Sequence, residues 1–235
     1  MDSVHTETLN GLKINIIRDN DAESPDSWGD DNLFLVGYHR DFSVDGPRVY
    51  HKLPAGVKRD ASDKGHLLVE KRDVIALLHG KKWARENDEA WPGELAAKYH
   101  VFPLEAYIHS GVRLALVSDA APFPDRRWDV SVLGAVFVAK TEFKTRARCE
   151  KLARGHVDTW NDYLSGNVYG FQIEGPNDES IDSCWGFFGD YDAPGGALHE
   201  ARDIVKARTR DGKTDARGQF LFPWAPELQP ASAAA

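Results

Sequence analysis

Between residues 169 and 173, Tyr169, Phe171 and Ile173 alternate with Gly170 and Gln172. Side chains two apart share one face of a strand, so this stretch predicts a half-buried strand. Gly175-Pro176-Asn177-Asp178 supplies turn chemistry: Gly and Asn tolerate positive φ, and Pro fixes φ. A second strand is predicted from about Ile181 to Phe188. Strict alternation puts Asp182, Cys184, Gly186 and Phe188 on one face, with Ser183, Trp185 and Phe187 on the other. Apolar groups on both faces predict a strand near the middle of a sheet. The pair forms a hairpin with a loop of about seven residues. Gly170, Gly186 and Gly189 mark bulges or close backbone approaches.

The rest of the chain follows the same two periods. Residues 1–11 are polar and read as a frayed end. Leu12, Ile14 and Ile16 alternate with polar neighbours and predict a strand ending near Arg18. Leu33 to Tyr38 is a continuous apolar run, the mark of a buried strand. Further strands are predicted over 101–109, 112–116 and 132–139, with Pro103 placing the first of these at a sheet edge or strand start. Helices are predicted over 67–79, after Pro92, from an N-cap at Thr141 to Leu164 with Gly166 closing it, and over 197–209. Residues 43–66 and 118–131 read as loops, and no internal repeat is visible. Pattern is lost after Asp211, so 210–235 is an extended tail, docked by Phe220, Phe222 and Trp224 or disordered. The sum is a single α+β domain over 12–209: a mainly antiparallel sheet of about six or seven strands with helices packed on one face.

Composition adds limits. A chain of 235 residues can bury one sizeable core, and 42% hydrophobic with 28% charged residues is ordinary for a soluble globular protein. The formal net charge of −8 disfavours bulk nucleic-acid binding, which needs Lys and Arg, and suits a basic partner. Cys149 and Cys184 are the two cysteines, and no Cys-x-x-Cys exists, so neither a cysteine zinc site nor a disulfide framework is expected. The N-terminus lacks a basic region followed by an apolar run, and no apolar run nears the roughly 20 residues of a membrane span. A reducing cytoplasm is the simplest compartment.

Candidate chemistry sits at strand ends and in one loop. Residues 19–31 hold six acidic side chains in thirteen. Two readings stand: a hard-cation site, or a solvated loop pinned by Trp28. The EF-hand order is missing, which favours the second, so no metal and no cofactor are expected. Trp28, Asp30 and Asp31 are then candidates for partner contact. His39 and Arg40 follow the buried strand as contacts for an anion or a partner, because the other kinase motifs that would accompany His39-Arg40-Asp41 are missing. Lys81-Lys82-Trp83-Ala84-Arg85 lies beside Glu86, Asp88 and Glu89 and reads as a solvated helix surface. Asp182 and Cys184 lie about 7 Å apart along their strand. With His109 or His39 beside the thiol, they would make a small cysteine hydrolase. The plainer alternative is Cys184 as packing material, the usual place of a free cysteine. Gly-x-Ser-x-Gly, Walker and Gly-x-Gly-x-x-Gly motifs are missing, which argues against the common hydrolase and nucleotide enzymes. Base stacking with Arg40 or Arg113 would instead make a nucleotide-signal binder.

Several stretches carry a family likeness: Asp19-Asn20-Asp21-Ala22-Glu23-Ser24-Pro25, Phe34 to Asp41, Val101-Phe102-Pro103-Leu104 with Tyr107 to Gly111, Trp160 to Gly166 followed by Val168-Tyr169-Gly170, and Asp182-Ser183-Cys184-Trp185-Gly186-Phe187. Across residues 12–205 the chain resembles a group of tailed-bacteriophage proteins, including those of actinobacterial phages, that carry no assigned activity. The resemblance implies a non-structural accessory protein working in the host cytoplasm, and it transfers no catalytic residue. Binding and modulating a host factor, in the manner of an anti-defence protein, is the expected function. Trp185 joins the candidate contacts, since Trp and Tyr dominate interface energies.

Overall fold

The computed structural model describes residues 3–28, 32–39, 42–44, 48–50, 66–109, 111–119, 123, 129–141, 145–211, 213–214 and 220–221. In chain order the elements are β1 (Ser3–Leu9), β2 (Leu12–Arg18), a 3-10 turn (Pro25–Trp28), β3 (Leu33–His39), β4 (Phe42–Val44), β5 (Arg48–Tyr50) and β6 (His66–Leu68). Then come α1 (Lys71–His79), α2 (Lys81–Glu86), α3 (Gly93–Lys98), β7 (Tyr99–Ile108), β8 (Val112–Leu116), β9 (Val130–Ala139) and α4 (Arg146–Leu164). The chain continues through β10 (Val168–Glu174), β11 (Ser180–Phe188), α5 (Ala197–Asp211), β12 (Lys213–Thr214) and β13 (Phe220–Leu221). The fold is α+β, as the sequence predicts. Two compact units divide it: residues 1–22 with 166–235, and residues 23–165.

The first unit is a four-stranded antiparallel sheet in the order β1-β2-β10-β11. Asn10 and Gly11 join β1 to β2 with φ of 50° and 80°. A two-residue hairpin loop needs positive φ at both central positions, which Asn-Gly accepts at little cost. The N-terminal residues are therefore a paired strand and not a frayed end. The apolar face of β2 and β10 carries Leu12, Ile14, Ile16, Phe171 and Ile173, and α5 closes it with Ala197, Leu198, Ala201 and Val205. Those four positions lie on one stripe of the helix, and each large aliphatic or aromatic side chain buried there contributes about 1.5–3 kcal/mol.

One ion pair ties β1 to α5. Arg202 donates from Nε to Glu7 Oε1 at 2.8 Å and from Nη2 to Oε2 at 2.7 Å. This two-pronged hydrogen bond, working against the cost of burial, holds the Glu7 carboxyl below the usual carboxylate range. A depressed carboxyl pKa stabilises the fold above the unfolded value of about 4.3, and the contribution is lost as pH falls through the folded value. The urea midpoint of unfolding is expected to drop as pH falls from about 5, and Glu7→Gln is expected to flatten that drop.

The second unit holds a five-stranded antiparallel sheet in the order β4-β3-β9-β7-β8. Helix α4 covers one face through Cys149, Ala153, Val157 and Trp160, against Leu35, Phe102, Leu104, Leu114 and Val136. The opposite face carries Phe34, Val36, Tyr99 and Phe137 and is covered from α1 and α3 by Val74 and Leu95. Asn161 of α4 clamps the outer strand: its Nδ2 donates to Leu114 O at 3.0 Å, and its Oδ1 accepts from Leu114 N at 2.8 Å. The amide thus takes the place of a neighbouring strand on β8.

Several expectations need correction. The strands divide between two main sheets instead of sharing one, and helices cover both faces of the larger sheet. Pro103 lies in β7, which pairs with both β8 and β9. Its carbonyl accepts from Val117 N at 2.9 Å, beyond the last β8 pair, Leu104 with Leu116. N–H and C=O of one strand residue point the same way, so the missing N–H falls where β8 has ended. Helix α4 starts at Arg146, where Thr145 caps with its hydroxyl accepting from Arg148 N at 3.4 Å, and not at Thr141. Helix α1 begins at Lys71, because residues 66–68 pair with 48–50. Most of 43–66 and of the C-terminal tail lies outside the described residues.

Candidate functional site

The β10–β11 ribbon is the stretch where sequence and geometry say most. Phe171 opposes Cys184, but Tyr169 opposes Phe187, so β11 carries one residue more than β10 over that interval. This is a β-bulge, with Gly186 at φ 84°. The extra residue reverses the alternation: Phe187 turns to the α5 side, its ring 5.8 Å from Phe171, instead of sharing a face with Trp185. The loop between the strands is residues 175–179, closed by Gly175 N donating to Glu179 O at 2.9 Å, and is shorter than predicted.

The bulge also sets Trp185 across Gly170. A Cβ on Gly170 would stand 2.2 Å from Cε3 of Trp185 and 2.9 Å from the Cys184 carbonyl oxygen, so the indole lies where only glycine lets it lie. Trp185 is 39% exposed. Strand β11 ends its sheet order and is not a central strand. Exposed carboxylates flank it, Asp178 and Glu179 at one end, Asp190 and Asp192 at the other.

Cys184 is exposed, contrary to its reading as packing material, and it sits on the edge strand of its sheet. Its Sγ lies 3.9 Å from Trp185 O. Cys149 is the buried cysteine. Asp182 is engaged on both oxygens: Oδ2 accepts from Arg208 Nη2 at 2.5 Å, and Oδ1 from Ser183 N at 2.9 Å. Cys184 and Asp182 belong to the first unit, and His39 and His109 to the second. His109 is an exposed turn residue, its N donating to Gly111 O at 3.2 Å and its ring 6.3 Å from Tyr107. His39 closes β3, half-buried, opposite Phe42.

The acidic loop is described in part. Asp30, Asp31 and Arg40 lie outside the described residues, as does the side chain of Trp28, whose backbone ends the 3-10 turn. Asp26 serves the fold: its Oδ2 accepts from Leu35 N at 2.9 Å, and its Oδ1 is 2.8 Å from His156 Nε2, off the line of a good hydrogen bond. Among the described residues no group of three His, Cys, Asp or Glu side chains is placed to hold a metal ion. Among the same residues no helix is long and apolar enough to cross a membrane.

The sequence reading missed the meeting of His100, Lys140 and Arg146 around one hollow. His100 lies about forty residues before Lys140 and Arg146, which both follow β9, and no local motif joins the three. None of the family models, curated proteins or solved structures compared with the chain matches it.

Proposed function

We propose that the chain is a phage-encoded, non-enzymatic accessory protein that acts in the host cytoplasm by binding a host factor with a basic surface. The observation that carries this is Trp185, exposed, locked over Gly170, on a strand with exposed carboxylates beyond both of its ends. A preordered indole loses little side-chain entropy on binding and supplies the large contact area typical of interface anchors. Surrounding carboxylates steer a basic partner and set its orientation. The net charge of −8 works in the same direction.

A cysteine hydrolase through Cys184 is the competing reading. It draws less support, because Asp182 is committed to Arg208 and the thiol contacts the Trp185 backbone. Tagged native chain, Trp185→Ala and Cys184→Ala, each checked for native circular dichroism, separate the two in host lysate. The native chain and Cys184→Ala are expected to capture the same partner in stoichiometric amount. Trp185→Ala is expected to weaken capture by about tenfold or more, and salt to weaken it further. Full capture by Trp185→Ala, or an ester- or amide-cleaving activity that disappears in Cys184→Ala, would overturn the proposal.

A further inference from the structure

Three basic side chains of the second unit line one hollow of about 340 Å³: His100 in β7, Lys140 just after β9, and Arg146 at the start of α4. Trp91, Tyr99 and Pro103 complete much of its wall. Single backbone carbonyls hold the two strong cations in place. Lys140 Nζ donates to Ala96 O at 2.6 Å, and Arg146 Nη2 donates to Val101 O at 3.1 Å, with the guanidinium 4.6 Å from the Phe102 ring centroid. A lysine has three donors and an arginine five, so most remain for another group.

Among the described residues no carboxylate pairs with any of the three. That is unexpected in a chain with 37 acidic residues against 29 basic ones. Like charges brought together beside an apolar wall repel, and the arrangement is stabilised when an anion enters. His100 registers the field: burial first, then Lys140 and Arg146, push its imidazole below the usual histidine range. The first turn of α4 points the same way. It carries Arg146 and Arg148 and no acid, the reverse of what a helix start favours, and a bound anion would offset that.

We infer that this hollow binds a nucleoside monophosphate, its phosphoryl group held by Lys140, Arg146 and His100 and its base laid against Trp91. Charge-assisted donors suit phosphate oxygens, and the indole in the wall, which carries Lys81 Nζ over one face at 5.6 Å, can stack a base on its other face. This site is separate from the β11 edge and does not rest on the partner proposed there.

Calorimetric titration of the full chain with AMP, ribose 5-phosphate and inorganic phosphate tests it. AMP is expected to bind, and ribose 5-phosphate to bind at least about tenfold more weakly, since it lacks the base. Lys140→Ala and Arg146→Ala are each expected to weaken AMP by about tenfold to a hundredfold. Both positions are exposed, so the fold should survive, and Lys140→Gln gives a second variant of nearly the same length. The His100 ring, followed by NMR, is expected to titrate at higher pH with AMP bound. No heat at millimolar AMP, native affinity in the variants, or equal affinity for AMP and ribose 5-phosphate would each overturn the assignment.

Discussion

Gly134→Ala is expected to unfold or severely weaken the second unit, at a cost of about 3 kcal/mol or more. Gly134 faces Gly37 across the β3–β9 pair. A methyl at Gly134 would stand 2.0 Å from Val36 O, 2.9 Å from Val36 C and 3.0 Å from Gly37 Cα. All three are backbone atoms of the adjacent strand, so the clash is relieved only by parting two inner strands of the five-stranded sheet. Gly37→Ala provides the contrast. Its methyl meets Leu133 side-chain carbons at 2.9–3.2 Å, and a side chain can turn away where a ladder cannot. The two variants are to be compared by urea denaturation. A Gly134→Ala midpoint equal to the native one would contradict the close approach of β3 and β9.

Phe171→Ala is expected to destabilise the first unit by about 3–5 kcal/mol. Phe171 is fully buried in β10, opposite Ile16 on one side and Cys184 on the other. Its ring meets Phe187, and the α5 residues Ala201 and Val205 belong to the same cluster. Truncation leaves a cavity under a single helix, and the strands that line it are tied by ladder hydrogen bonds and cannot collapse far. The same denaturation experiment reads it, with near-ultraviolet circular dichroism of the aromatic groups as a second signal. A loss below about 1 kcal/mol would mean that α5 settles into the space and that the packing is looser than described.

Where apolar alternation was strong, strands were legible without coordinates. Strands β2, β3, β8, β9 and β10 fall within a residue or two of their predicted spans. Strand β1 was missed because its inward face is mostly polar, with Leu9 its one apolar residue there. His5 stacks on Tyr191 at 6.0 Å and Glu7 pairs with Arg202, so that face is chosen by partners distant in the chain. The Asn10-Gly11 dipeptide was the available signal for the hairpin. In β11 the apolar pattern of the sequence marks both faces. The bulge accounts for it: one extra residue after Cys184 moves Phe187 to the core side, and a central strand was read where an edge strand stands.

The candidate residues show the same division. Trp185 is a candidate contact on sequence grounds, since large aromatics in an acidic chain suggest an interface, and the structure leaves it 39% exposed. The exposure of Cys184 was not, because free cysteine is usually buried and only the sheet order places this one at an edge. The joints near residues 22 and 166 carry no shift in composition. They follow from the pairing of β2 with β10, where Ile16 opposes Phe171 across more than one hundred and fifty intervening residues.

Local chemistry therefore determined most of the longer strands and the two long helices, where α4 ends, and that an aromatic-rich ribbon turns at Gly175-Pro176. Tertiary structure alone decided which strands are neighbours, which one is left at the rim, and which basic side chains converge on one hollow. The reason is that a side-chain period specifies a face but not the partner strand beyond it, and distant segments meet through shared burial that no short window of residues encodes.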